Sequence, residues 1–302
     1  MILIKMAGEI TDLINYLNQS KGIPLLVEQT TTTNSWQFTI SIVIALIGSF
    51  FILFMFGATI KSGLLGSFNN FRLNILSKKL GRNVLMIKHT ERSLFNSSMI
   101  NNKTFLKIIE ALDSFKGKPF DLILHTPGGT IFDSQLISRL IHNYPGEVRA
   151  IIPQYSMSGG TLLALSADSI YMSENSCLGP VDPQLGNLWS VGSARSWNEI
   201  LRIKGKKAED SSINFAIMGK QYTKSINKVI KNILSDDINE RDKEKISRFF
   251  TSGQIEHGYN ILFQDLLKLK LDVKLIESKD ILTSMNKIIS SESLEGVHHI
   301  KI

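Results

Sequence analysis

The chain has 302 residues, 43% of them hydrophobic and 20% charged, and a formal net charge of +7. That length supports a full α/β core, and the positive charge is scattered rather than interleaved with aromatics, so nucleic acid is not expected as a partner and anionic lipid is the better match. Cys177 is the only cysteine, which excludes an intramolecular disulfide and a cysteine-based metal site; His298-His299 has no carboxylate or cysteine pattern beside it and reads as part of a solvated tail, so neither a metal nor a cofactor is expected.

In chain order, residues 1–36 hold a short amphipathic piece around Ile10 to Leu17 and a polar run from Gln29 to Asn34, with nothing that carries chemistry. No charged residue occurs from Gln37 to Ile60. A helix of that length, at ~1.5 Å per residue, spans about 36 Å against a hydrocarbon core of ~30 Å, so 37–60 is expected to be one transmembrane helix. It is too long, and starts too late, for a cleaved signal peptide. Lys61, Arg72, Lys78, Lys79 and Arg82 follow it, whereas Lys5 and Lys21 lie far on the other side, and the positive-inside rule places the N-terminus outside and the rest in the cytoplasm. Residues 61–82 are expected to form a basic juxtamembrane helix whose Leu73, Leu76 and Leu80 rest on lipid or on the domain that follows.

An alternating pattern then begins: strand Asn83 to Lys88, helix Lys103 to Phe115, strand Phe120 to Thr126, helix Ile131 to Asn143, strand Val148 to Pro153, helix Gly159 to Ala167, strand Ser169 to Met172. Strands alternating with helices predict right-handed crossovers and a mostly parallel sheet. Beyond the loop LGPVDPQLG the chain turns helical, over Asp210 to Leu234 and Asp236 to Phe250, with a closing helix and strand within Tyr259 to Ile276 and a tail over 290–302.

Two turns in this pattern stand out. In YSMSGGTLLAL a strand delivers Ser158 to the start of a helix, followed by Gly159 and Gly160; a hydroxyl there lies beside unpaired backbone N–H groups, as acyl transfer requires. In isolation such a serine reads first as an N-cap and the glycines as a packing device. The other turn, HTPGG, ends the preceding strand with Gly128 and Gly129. Successive strand–turn–helix units of a parallel sheet bring their turns to the same edge, where open α/β folds place their sites.

The pair HTPGG and YSMSGGTLLALSADSIYMSENSCLGPVDPQLG resembles the serine dehydrogenase proteinases, membrane-associated serine proteinases of the Clp/crotonase fold related to signal peptide peptidase A and the Clp protease subunit. The resemblance covers about Phe71 to Ile276. It implies a Clp/crotonase-type α/β proteinase domain over 83–289, with Ser158 as nucleophile, an oxyanion hole from Gly128, Gly129 and Gly159, a peptide or protein substrate, and assembly as a homo-oligomer.

A serine needs a positioned base. His257, in SGQIEHGYNILFQDL, lies where the family's proposed triad has its histidine, although Gly258 and Asn260 stand where the family has aspartate and proline. Of the acids near Ser158, Asp168 is ten residues on, about 15 Å along a helix, and more plausibly caps a turn; Asp182, stiffened by Pro180 and Pro183, is the preferred partner for His257. His125, His89 and His142 are weaker candidates, His125 chiefly as a structural hydrogen-bonder. In a serine–lysine dyad like that of the signal peptide peptidases, the matching position is Arg195, which stays charged and cannot act as a base; Lys204, Lys206 and Lys207 read as a solvated face.

The expectation is therefore a single-pass protein of the cell membrane, anchored in lipid through 37–60, whose cytoplasmic domain cleaves peptide bonds through an acyl-enzyme on Ser158. One rival is a peptidase-like membrane scaffold that has lost its general base. Another is acyl-CoA chemistry on the same fold, against which Ser158 argues.

Overall fold

The computed structural model describes residues 35–90, 98–187, 189–291 and 294–302, and within its first helix the side chains of 40–51 and 70–80. The segment 1–34 lies outside the described residues. The chain divides into two compact units, 1–61 and 62–302.

Helix α1 runs Ser35–Leu80. In the first unit its Ile44, Ile47, Phe50 and Phe51 are all more than half exposed. Half of the expected span 37–60 falls on side chains outside the described set, and among the described residues no helix is long and apolar enough to cross a membrane. In the second unit Leu73 and Leu76 are fully buried against the sheet described next, which settles on the domain the stripe that the sequence left between domain and lipid.

The second unit is built on a six-stranded sheet. Its strands are β1 (Asn83–Lys88), β2 (Phe120–His125), β3 (Val148–Ile152), β5 (Ser169–Met172), β10 (Val273–Leu275) and β11 (Gly296–Ile300), in the spatial order β10-β5-β3-β2-β1-β11. All neighbours are parallel except β11, which runs antiparallel to β1. β1 and β2 are buried at every position, as strands covered on both faces must be.

The pleat sorts their side chains into two layers. Leu85, Ile87, Leu122, Leu124, Ala150 and Ile152 face the larger core with helices α2 (Asn102–Phe115), α3 (Ile131–His142), α4 (Gly159–Leu165), α6 (Asp210–Ile233) and α7 (Glu240–Thr251). Val84, Met86, Ile123 and Ile151 face the smaller one, closed by α1 and α9 (Lys279–Ile289). Each crossover is capped by its own sequence. Asn101 accepts from the N–H groups of Lys103 and Thr104 to open α2, and Asp168 accepts from Val148 N at 2.7 Å, pinning the start of β3 rather than reaching the site. Asp121, fully buried in β2, is held by a two-pronged contact from Arg149 at 2.7 Å and by Arg82 Nε at 2.9 Å, the pairing that a buried carboxylate requires.

Smaller elements complete the unit. β4 (Tyr155–Ser156) pairs parallel with β6 (Cys177–Leu178), which pairs antiparallel with β9 (Ile261–Leu262); β7 (Gln184–Gly186) and β8 (Val191–Ser193) form a hairpin. Helices α5 (Ala194–Lys204) and α8 (Phe263–Lys268) flank them.

Two expectations need correcting. The helix expected from Asp236 begins at Glu240, because Asn239 caps it by accepting from Asp242 N at 2.9 Å. The expected tail is no tail over its last residues: 296–300 form β11, with Val297 packed in the larger core and Ile300 against the smaller. Val297 and Ile300 are three residues apart and face opposite sides of the sheet with two histidines between them, so the stretch lacks the period-two alternation that marks a strand in sequence. His298 is half-buried and its Nε2 contacts Glu295 O at 3.2 Å, so the histidine pair is part of the sheet.

Candidate active site

The site forms where β2 and the β3–β4 segment release the chain into α3 and α4. The two turns are stitched together by backbone: Thr126 N donates to Tyr155 O at 3.3 Å and Met157 N to Thr126 O at 2.9 Å. A third strand of chain closes the other side, where Ile100 N donates to Gly128 O and Thr130 N to Ile100 O, both at 2.9 Å. Glycine is required at both positions of the first turn. Gly128 has φ +113°, and a methyl group built on it would lie 2.8 Å from Ser158 Cβ; one built on Gly129 would lie 2.1 Å from Ile100 O.

Ser158 is not the ordinary N-cap of the bland reading. Its φ of 48° and ψ of −117° are those of a strained turn, and its hydroxyl makes no capping hydrogen bond. A serine held at positive φ costs of order 1–3 kcal/mol, and such strain persists where neighbouring structure imposes it. The imposing contacts are visible. Gly160 N donates to Met157 O at 2.8 Å and Leu162 N to Ser158 O at 3.2 Å, while Thr161 Oγ1 donates to Ser156 O at 2.8 Å.

Of the three glycines read as an oxyanion hole, the structure separates one from the other two. The N–H of Gly128 donates to Thr126 Oγ1 at 3.1 Å, so it is already engaged. The N–H groups of Gly129 and Gly159 have no acceptor among the described residues, and a methyl built on Gly159 would lie 3.4 Å from the Gly129 nitrogen.

Asp182 and His257 meet. His257 Nδ1 lies 2.7 Å from Asp182 Oδ1, and Gln184 Nε2 donates to the other carboxylate oxygen at 2.7 Å. Asp182 is buried and His257 about one-third exposed. Two anchors hold the Asp182 loop: Gly179 N donates to Thr161 Oγ1 at 3.0 Å, and Val181 N to Phe250 O at 2.7 Å. Asn260, where the family's proline was expected, accepts from Cys177 Sγ at 3.4 Å and so ties its loop to β6. Ser158, Gly128, Gly129, Gly159, Asp182 and His257 all line one cleft of about 700 Å³. Met99, Ile131, Leu162, Val181 and Ile226 give it apolar walls.

The other candidates lie elsewhere. His125 is buried with its ring 4.2 Å from that of Tyr155, and burial, helped by the charge of Lys88, lowers its pKa to about 4. His89 contacts Thr126 Oγ1 through Nδ1 at 3.2 Å, and burial lowers its pKa to about 4 as well. Both support the first turn from beneath. His142 is exposed at the end of α3, and Lys204, Lys206 and Lys207 are exposed and outside the cleft, as a solvated face should be. Arg195 is exposed on α5, beside the Asp182 loop: a methyl built on Gly253 would lie 3.1 Å from its Cβ and 3.8 Å from Asp182 Oδ2. No group of three or more metal-ligating side chains occurs among the described residues.

Sequence reasoning passed over Thr126, Gln184 and Ser134. Ser134, fully buried in the cleft wall, has no hydrogen-bond partner for its hydroxyl among the described residues. Thr126 and Gln184 act on residues only two positions away, Gly128 and Asp182, so spacing did not hide them; what residue type does not show is the turn geometry that aims each side chain at its neighbour.

A candidate nucleophile at a strained turn, a second turn with a bare amide and a His–Asp pair in one cleft define an α/β protein of the serine-hydrolase kind. The chain belongs to the ClpP-like SDH-type serine proteinase family, whose profile matches residues 37–289. It is 35% identical over 222 residues to the uncharacterized protein MJ0137 of Methanocaldococcus jannaschii, covering 70% of this chain and 76% of that one. It is also 35% identical over 155 residues to MJ1495 of the same organism, covering 51% and 52%. Among solved structures it is similar to the 1510-N membrane-bound stomatin-specific protease, with 15% identity over 65% of this chain and 87% of that one and a TM-score of 0.43. For ClpP1 of Listeria monocytogenes the values are 15%, 66%, 94% and 0.42.

Proposed function

We propose that the protein is a membrane-anchored serine peptidase that cleaves peptide bonds through an acyl-enzyme on Ser158. The observation that carries the proposal is the His257–Asp182 contact at 2.7 Å in the cleft that also holds Ser158. With Nδ1 engaged by a carboxylate, the imidazole is fixed in the tautomer that leaves Nε2 free to take a proton.

In this reading Ser158 Oγ attacks the scissile carbonyl carbon and its proton passes to His257 Nε2. The carbonyl π electrons move to oxygen, where the Gly129 and Gly159 amides receive them. Collapse breaks the C–N bond, and the departing amine takes the proton from His257. Water, deprotonated by the same imidazole, then hydrolyses the ester and restores Ser158. Gly128 serves by leaving room for Ser158 and by its turn geometry rather than as a donor, and Gln184 positions Asp182. The apolar walls suit an apolar side chain next to the scissile bond. Because a carboxylate for His257 comes from the Asp182 loop, aspartate is not needed at Gly258, and the scaffold reading loses its main support.

Membrane attachment rests on the uncharged run 37–60 within one continuous helix and on the exposed apolar side chains of 40–51. The basic residues after it favour a cytoplasmic domain with the N-terminus outside. Assembly as a homo-oligomer is carried forward on the family resemblance. A fluorophosphonate probe applied to the full chain in detergent tests the catalytic claim: labelling that disappears in Ser158→Ala supports it, and a folded wild-type protein that takes no label refutes it.

A further inference from the structure

Beside the cleft lies a larger groove, about 1150 Å³, that reaches the site at Asp182, the side chain shared by both. α6 packs against both α5 and α7, forming the floor between two walls. The face of α6 turned away from the core carries Lys220, Lys224, Lys228 and Lys231 at helical spacing, with Asp210 in its first turn as the acidic residue of that helix. Like charges at that spacing repel one another and weaken the helix, so the stripe costs stability where a mixed surface would not.

The groove's acids do not neutralise it. Glu244 is taken by Lys231 at 3.0 Å and Arg248 at 2.6 Å, and Asp236 by Lys243 at 3.4 Å. Lys220, Lys224, Lys228 and Arg195 are in no salt bridge among the described residues, and all four are exposed. With seven basic and four acidic side chains in its lining the groove is net positive, and the field in a concave site concentrates on whatever lies in it.

We propose that this groove is a docking site for an acidic segment of the polypeptide that enters the cleft, so that the protein selects chains with carboxylates a few residues from an apolar cleavage point. The reading of the substrate as a polypeptide rests on the proposed peptidase function; the charge selection rests on the groove alone. A peptide suits the site better than a lipid surface or a nucleic acid. The lysines lie inside a groove rather than on a plane, and the groove opens beside the His257–Asp182 pair.

The test uses the full chain carrying Ser158→Ala in detergent, so that binding is read without turnover. Fluorescein-labelled peptides of one length, with an apolar centre flanked by Glu, Gln or Lys, are followed by anisotropy. The Glu peptide is expected to bind at least ~10-fold more tightly than the Gln peptide at low salt, from several exposed pairs each contributing a few-fold. That advantage should vanish in about 0.5 M salt, where charges a few ångströms apart are screened, and in the triple variant Lys220→Gln, Lys224→Gln, Lys228→Gln. Equal affinity for Glu and Gln peptides, or an advantage that survives in the triple variant, overturns the proposal. So does a triple variant that loses binding to phosphatidylserine vesicles or RNA while its Glu-peptide affinity is unchanged. Absence of fluorophosphonate labelling in the wild-type chain would remove the peptidase reading while leaving the affinity difference to stand or fall by itself.

Discussion

The two turns at the carboxyl end of the sheet are built from similar words, TPGGT and SMSGGT, and do opposite things. After the first, Thr130 opens α3 at φ −65° and ψ 143°, and its Oγ1 accepts from Asp133 N at 3.1 Å: a relaxed cap, fully used. After the second, Ser158 opens α4 at φ 48° with its hydroxyl uncommitted. One turn spends its hydroxyl on the helix and leaves a bare amide at Gly129; the other withholds its hydroxyl and is strained. A side chain left unused at a strained position is a stronger sign of function than the residue type, because the relaxed alternative stands one strand away in the same sheet.

Substitutions at the two turns and their supports should pull this contrast apart. Ser158→Ala should lower peptide hydrolysis by ~10⁴-fold or more with the fold intact by circular dichroism; retained turnover would make the strained turn a structural oddity. Asp182→Asn should cost about 10³ to 10⁴ in kcat by letting His257 adopt the wrong tautomer, and a variant within tenfold of wild type would show that the 2.7 Å contact is not used in catalysis.

Gly128→Ala forces a side chain to φ +113° and a Cβ to 2.8 Å from that of Ser158. Misplacing the nucleophile and its neighbouring amides should lower the rate by ~10² to 10³, and an unaffected variant would mean that the turn yields without moving Ser158.

Acid should strike the first turn from below. The folded-state pKa values of His89 and His125 are lowered by burial to about 4, whereas an unfolded chain takes up those protons near 6.5. Between the two values the unfolded state binds more protons, so stability is whole above about pH 6.5 and is lost as pH falls from there to about 4, by on the order of 3 kcal/mol per histidine. Urea melts across that range should show the loss, and His89→Asn with His125→Asn should flatten it. Thr130→Ala is expected to have the smallest effect, about 1 kcal/mol of stability for a lost cap, measured as a shift in urea midpoint with near-normal turnover.

Much of the frame was legible in residue order. β1, β5 and the starts of α3 and α4 fall where period and turn chemistry put them, because the buried strands are continuous apolar runs bounded by Gly, Pro or Asp. Ser158, His257 and Asp182 could be named from motif and chemistry. Their meeting could not, since Asp182 and His257 are 75 residues apart and are brought together through anchors on Thr161 and Phe250. The engagement of the Gly128 amide by Thr126 is a local, two-residue contact, yet a Pro-Gly-Gly turn offers two amides and residue type does not say which is spent. Short pieces such as β4, β6 and β9 carry two residues each and have no period to read.

The antiparallel pairing of β11 with β1 has a consequence for handling the protein. All six residues of β1 are buried and mostly aliphatic, and without β11 this strand would present an open row of backbone donors and acceptors to any other extended chain, the template from which intermolecular β-stacking starts. β11 puts a half-polar strand with two histidines on that border, and at the opposite border β10 is only three residues long with Lys274 at its centre. A version shortened after residue 290 is therefore expected to aggregate through β1 rather than simply to lose a few residues.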